Sequence, residues 1–151
     1  MYEILKTILL SLLPISELRG GLAYAIAVGM PVASAFIISV ISNVLVIPVV
    51  FFFLDYLHKH FLKIKFYENL FHRHIERSRK KIEKHIGTKW EYIFLWLFVA
   101  IPLPMTGAYT GTLLAWFFRL DRKKSYLALA LGVVTAGIIV TLFMIGLLNV
   151  F

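Results

Sequence analysis

The sequence predicts an all-α integral membrane protein made of two inverted repeats. Each repeat is a re-entrant helical hairpin followed by one transmembrane helix, with an amphipathic cytoplasmic helix between the repeats. Three observations carry this expectation. The 151 residues are 60% hydrophobic with a mean hydropathy of +0.84, the composition of a chain that faces lipid. Two uncharged runs, Pro31 to Leu54 and Ser125 to Phe151, each exceed the roughly 20 residues needed to cross about 30 Å of hydrocarbon. Two further apolar stretches are broken at their middles by similar sequences ninety residues apart, Pro14-Ile-Ser-Glu-Leu-Arg-Gly-Gly and Pro102-Leu-Pro-Met-Thr-Gly-Ala-Tyr-Thr-Gly. Matched interruptions of membrane segments point to a transport site.

Repeat one covers residues 1–54. Its first stretch, Met1 to Leu13, meets Pro14, Glu17 and Arg19 instead of a small-residue cleavage site, so it is expected to be retained structure rather than a signal peptide. Ile15 to Val28 forms the second arm of the hairpin, and the run from Pro31 crosses the membrane. The loop 55–91 carries ten basic and five acidic residues, a net of +5. Within it Phe66, Leu70, Phe71, Ile75, Ile82 and Ile86 recur at helical intervals and end at Gly87, the pattern of an amphipathic surface helix. Repeat two covers 92–151. Glu91 to Ile101 and Met105 to Phe118 are eleven and fourteen residues, about 16 Å and 21 Å of helix, each half a membrane.

Charge sets the expected topology. Arg119 to Lys124 adds four basic residues and one acidic, a net of +3, while residues 1–30 sum to zero. Both basic regions belong on the cytoplasmic side, which requires 92–118 to dip in and return. Both termini are then outside, in a multi-pass protein of the cell membrane. A ninety-residue shift pairs Leu13 with Leu103, Pro14 with Pro104, Ser16 with Thr106, Gly21 with Gly111 and Ala25 with Ala115. The same shift pairs the spans from Ala35 and Ser125 onward. The basic loop is read as lipid-facing and not as a nucleic-acid surface.

The candidate binding residues cluster at the breaks. An ionisable group at membrane depth costs several kcal/mol (about 2.5–3.5 on insertion scales) unless it pairs or faces water, and Glu17 and Arg19 are such groups. Either they neutralise each other to hold the hairpin, or Arg19 binds an anion while Glu17 carries a proton. Burial favours the neutral form of Glu17 and the nearby guanidinium its charged form. Unpaired N–H groups opening the second arm of each hairpin suit an anion. Gly20, Gly21 and Gly107 allow close approach, and Ser16, Thr106, Tyr109 and Thr110 add hydroxyls. On the spans, Ala35, Ser39, Ser42 and Asn43 share one face and Ala128, Gly132, Thr135 and Ala136 another; these serve mainly as packing, with Asn43 the candidate for ligand contact. The five histidines (58, 60, 72, 74 and 85) fall in the loop and are read as solvated. There is no cysteine, and no nucleotide-binding loop, zinc motif or serine elbow. No cofactor or metal is expected, and no enzyme.

The two broken motifs closely resemble those of the small multidrug export protein family, over nearly the whole chain. That family is in turn similar to the DedA superfamily, which has two re-entrant hairpins in inverted repeats. Some DedA proteins are implicated in flipping polyprenyl-phosphate carriers with an ion gradient. The resemblance implies that Glu17 and Arg19 match acidic and basic hairpin residues of DedA proteins. The uncharged second tip, Leu103 to Ala115, departs from the DedA pattern. The expected function is a secondary transporter or flippase for an anionic substrate, a lipid phosphate above all, coupled to an ion gradient. The alternatives are a cation or drug exporter using Glu17 and a non-transporting membrane scaffold. The expected partners are a membrane lipid or small anion and a second copy in a homodimer.

Overall fold

A computed structural model describes residues 1–61, 89–103 and 106–150. Among them the chain forms six helices and no strand: α1 (Tyr2–Leu12), α2 (Glu17–Ala27), α3 (Val32–Phe61), α4 (Lys89–Ala100), α5 (Ala108–Phe117) and α6 (Arg122–Val150). Two of these, α3 and α6, are long and apolar enough to cross a bilayer.

The prolines decide where the short helices stop. A residue before proline is pushed out of the helical region, and Leu13, before Pro14, is extended at φ −74°, ψ 135°. Helix α4 likewise ends at Ala100, just ahead of Ile101 and Pro102. The chain restarts as α2 through a turn in which the Glu17 N–H donates to Leu13 O at 2.8 Å. The α1–α2 pair packs together closely, whereas α4 lies mainly along α6 and touches α5 less. Helix α2 also packs on α6, and α5 on α3.

The ends of α2 and α5 repeat at a spacing of ninety residues. Gly29 N–H donates to Ile26 O and Met30 N–H to Ala25 O, both at 3.0 Å; Arg119 N–H donates to Trp116 O at 3.1 Å and Leu120 N–H to Ala115 O at 3.0 Å. Both are Schellman ends, with Gly29 at φ +81° and Arg119 at φ +51°. The next helices open at Val32 and Arg122, again ninety residues apart. There Ala35 N–H donates to Pro31 O and Ser125 N–H to Asp121 O, each at 2.9 Å. The Asp121 carboxylate also accepts the Lys124 N–H at 2.9 Å, as a helix N-cap does.

Small residues let these helices approach. Ala35, Ser39, Ser42 and Asn43 of α3 are all buried, as are Ala128, Gly132 and Ala136 of α6. Thr135 accepts the indole N–H of Trp96 on α4 at 3.2 Å. Most other large apolar side chains of the spans point outward, among them Ile37, Ile41, Phe52, Leu142 and Phe143. That distribution suits lipid, which offers outward apolar groups no penalty, so tight packing of small groups holds the helices.

Two boundaries differ from expectation. Helix α3 continues to Phe61 and α4 begins at Lys89, so the connecting segment is shorter at both ends than 55–91. The charged end of α3 keeps its helical form because its side chains find partners there: Asp55 accepts from Trp116 and Arg122, and the Tyr56 and His60 rings stack at 5.0 Å. His58 and His60 therefore stand on α3. The predicted amphipathic helix, with His72, His74 and His85, lies outside the described residues.

A Cβ at Gly132 would come within 2.8 Å of Val99 Cβ and 3.0 Å of the Trp96 carbonyl, so α4 has no room to accommodate one. Gly132→Leu should lower the thermal midpoint of the purified protein in detergent, by about 1–3 kcal/mol of overpacking. Gly146→Leu, with nothing within 4 Å of an added Cβ, should leave the midpoint unchanged.

Candidate functional site

The two breaks face each other, and α2 supplies the side chains that join them. Arg19 reaches across to the second break and donates to the Thr106 carbonyl at 3.1 Å and the Thr106 hydroxyl at 3.3 Å. The Thr106 hydroxyl also lies 2.8 Å from Ile101 O and 2.9 Å from Leu103 O. Its position caps the frayed end of α4 and gives Arg19 a fixed partner.

Glu17 reaches the same break from two residues away. Its carboxylate lies against Gly107, the N-cap of α5, at the first turn that holds Tyr109. The acid thereby sits beside the N–H groups that every helix start leaves unpaired, at the positive end of the helix dipole. Gly107 makes this approach possible. It is buried, and an added Cβ would overlap the Glu17 carboxylate. Its own backbone, at φ −129°, ψ −164°, is extended and open to any residue, so space is the reason for glycine here. Glu17 itself is held at φ +47°, a left-handed conformation that costs a side-chain-bearing residue about 1–2 kcal/mol. Such strain is found where surrounding contacts over-determine a residue.

Two further bonds tie the breaks to the rest. The Tyr109 hydroxyl donates to Leu12 O at 2.5 Å, an orphan carbonyl at the end of α1. Asn43 of α3 donates through Nδ2 to Ser11 O at 3.3 Å. Asn43 is 1% exposed and its Oδ1 has no partner; the Ser11 and Ser39 hydroxyls are likewise buried and unpartnered. A buried polar atom left unsatisfied costs about 1–3 kcal/mol, so this interior is built to receive water or a ligand group.

Glu17, Arg19, Asn43, Thr106 and Gly107 line one cavity of about 10 Å³, closed on its apolar side by Val99, Val133 and Ala136. That is room for one water at most, so the site is shut in this conformation. The other candidates stand outside the lining. Ser16 donates to Leu10 O at 2.5 Å and finishes α1; Gly20 and Gly21 admit Ser16 and Ser11 against α2; Thr110 is half-buried on α5. Ser11 was not among the expected residues. Its place on an apolar amphipathic arm carries no signal, because only the packing of α1 against α3 makes its carbonyl the partner of Asn43.

Gly107→Ala should disturb the site through Glu17 alone. It is expected to lower the thermal midpoint in the wild-type background and to be nearly silent beside Glu17→Ala. The double-mutant cycle should give a coupling of about 1–3 kcal/mol; additive effects would refute the contact.

The comparisons with known proteins agree with this architecture in part. No curated protein and no solved structure is matched. A family model described as "Putative small multi-drug export protein" matches residues 17–139, a stretch that begins at Glu17 and takes in both helix ends that repeat at ninety residues. The match covers most of the chain, and the chain belongs to the small multi-drug export protein family.

Proposed function

We propose that this membrane protein is a secondary transporter or flippase for an anionic substrate, above all a lipid phosphate, driven by an ion gradient. The observation that carries the reading is the grip of Glu17 and Arg19 on the second break. The Glu17 carboxylate occupies the place at the start of α5 where a substrate anion would be received. Substrate and carboxylate are therefore competitors for the same N–H groups. Protonation of Glu17 frees the start of α5 for the anion, with Arg19 as the fixed positive partner, and loss of the proton restores the shut state. The unpartnered Asn43 Oδ1 in the same cavity is a ready acceptor for the protonated carboxyl.

The reading includes two inverted repeats, each a re-entrant hairpin and one span. Its support is the ninety-residue recurrence of the α2 and α5 ends and of the following helix starts, together with the contact of Glu17 and Gly107, themselves ninety residues apart. Alternating access would then be a rocking of the halves about this contact. With two spans per chain, the bundle is thin and a homodimer is part of the proposal.

A second reading has the family description in its favour: a drug exporter in which Glu17 binds a cation. Arg19 beside the carboxylate opposes it, since a second positive group would enter a site already holding one.

Three outcomes test these readings. The chain has no cysteine, so Met30→Cys and Leu120→Cys should react with an impermeant thiol reagent from opposite sides, outer and cytoplasmic respectively; labelling from one side removes the inverted topology. In proteoliposomes, Arg19→Ala should reduce movement of a labelled polyprenyl phosphate to the protein-free rate, and unchanged movement would end the anion reading. Glu17→Gln should leave residual movement that no longer responds to a proton gradient. If instead Glu17→Gln loses binding of a lipophilic cation while Arg19→Ala keeps it, the exporter reading stands.

A further inference from the structure

A second set of charged side chains lies away from the breaks, where the last turns of α3 meet the end of α5 and the start of α6. The Asp55 carboxylate accepts the Trp116 indole N–H at 2.9 Å and pairs with Arg122 at 2.5 Å. These groups open onto a cavity of about 270 Å³ that His58 and Arg119 also line. Beside it runs an apolar groove of about 420 Å³ between α3 and α6, lined by Pro48, Phe52, Lys123 and Tyr126. Phe51, Asp55 and Arg122 belong to both, so the two form one slot, polar and cationic at one end and aromatic at the other.

Two features indicate an anion at the polar end. The first is charge placement. Arg122, Lys123 and Lys124 occupy the first turn of α6, where the helix dipole is already positive and cations are disfavoured. Among the residues that line the cavity, Arg119 and Arg122 stand with one carboxylate, Asp55. The second is the backbone of Arg119. It holds the left-handed position that ends α5, at φ +51°, where the matching position ending α2 is Gly29 at φ +81°. Glycine takes that conformation freely and arginine does not. The arginine at this left-handed position lines the cavity.

We propose that this slot binds one phospholipid with an anionic headgroup. Its phosphate lies against Arg119 and Arg122, and an acyl chain runs along Phe51, Phe52 and Tyr126 between the two spans. Arginine forks match phosphate oxygens in two-point contacts, and the cavity approaches the size of small-ligand pockets. The bound lipid would brace the joint between α3, α5 and α6. This site needs only a membrane location; it is independent of what the breaks transport.

The test uses the full chain in detergent, followed by its thermal midpoint during titration with phosphatidylglycerol, phosphatidylcholine or water-soluble glycerol 3-phosphate. Phosphatidylglycerol is expected to raise the midpoint and phosphatidylcholine to leave it in place. Glycine takes the left-handed position that ends α5 freely, so Arg119→Gly should keep the fold. It should nevertheless need about tenfold more phosphatidylglycerol for the same rise, the loss expected for one charge-assisted contact. Arg119→Lys should fall between the two. An equal response of Arg119→Gly, or of phosphatidylcholine, overturns the site. A response to glycerol 3-phosphate as large as that to phosphatidylglycerol overturns the lipid in favour of a free anion.

Discussion

A broken helix leaves carbonyl and N–H groups unpaired, and where water is excluded protein must satisfy them. Most of what is distinctive here answers that one constraint. The first break supplies Glu17 to the start of α5 and Arg19 to Thr106. The second break returns the Tyr109 hydroxyl to the end of α1. Each break thus completes the other. Where protein does not complete the accounting, at Asn43 Oδ1 and the Ser11 and Ser39 hydroxyls, the interior is left with polar demand, and Asn43 lines the same cavity as Glu17 and Arg19.

The asymmetry between the halves follows from the same contact. Glu17 and Gly107 stand ninety residues apart, the spacing at which the helix ends recur, and they touch. Two carboxylates could not share that point without repulsion, and two glycines would leave the start of α5 unsatisfied. One acid and one glycine is the arrangement that both fits and bonds. The uncharged second tip is therefore the socket for the charged first one. The halves also diverge at the matched positions where these helices end, with Gly29 ending α2 and Arg119 ending α5.

Much of the fold was legible from residue order. The two spans follow from uncharged runs alone, because hydrocarbon thickness dictates helix length. The breaks follow from Pro14, Pro102 and Pro104, whose rings disfavour a helical predecessor, although Pro48 is carried inside α3. The small-residue faces of α3 and α6 follow from 3.6-residue spacing, and the buried Ala35, Ser39, Ser42, Asn43, Ala128, Gly132 and Ala136 agree with it. The last turns of α3 were less legible. Charge at 55–61 resembles a loop until Asp55 is seen to meet Trp116 and Arg122, residues more than sixty positions away.

The candidate site divides the same way. That Glu17 and Arg19 need partners is a matter of chemistry, since a charge in hydrocarbon cannot stay alone, and their types and spacing are enough to mark them. Which partners they take depends on how α2, α3 and α5 pack. Only the folded chain sets Glu17 at the N-terminus of α5 instead of leaving it to Arg19, gives Gly107 its role as the space for a carboxylate, and turns Ser11 into the support of Asn43. Local rules act over a few residues, while these contacts join positions from 32 to 97 residues apart. Composition and order thus determine the elements and the groups that must be satisfied, and the packing of distant helices determines what satisfies them.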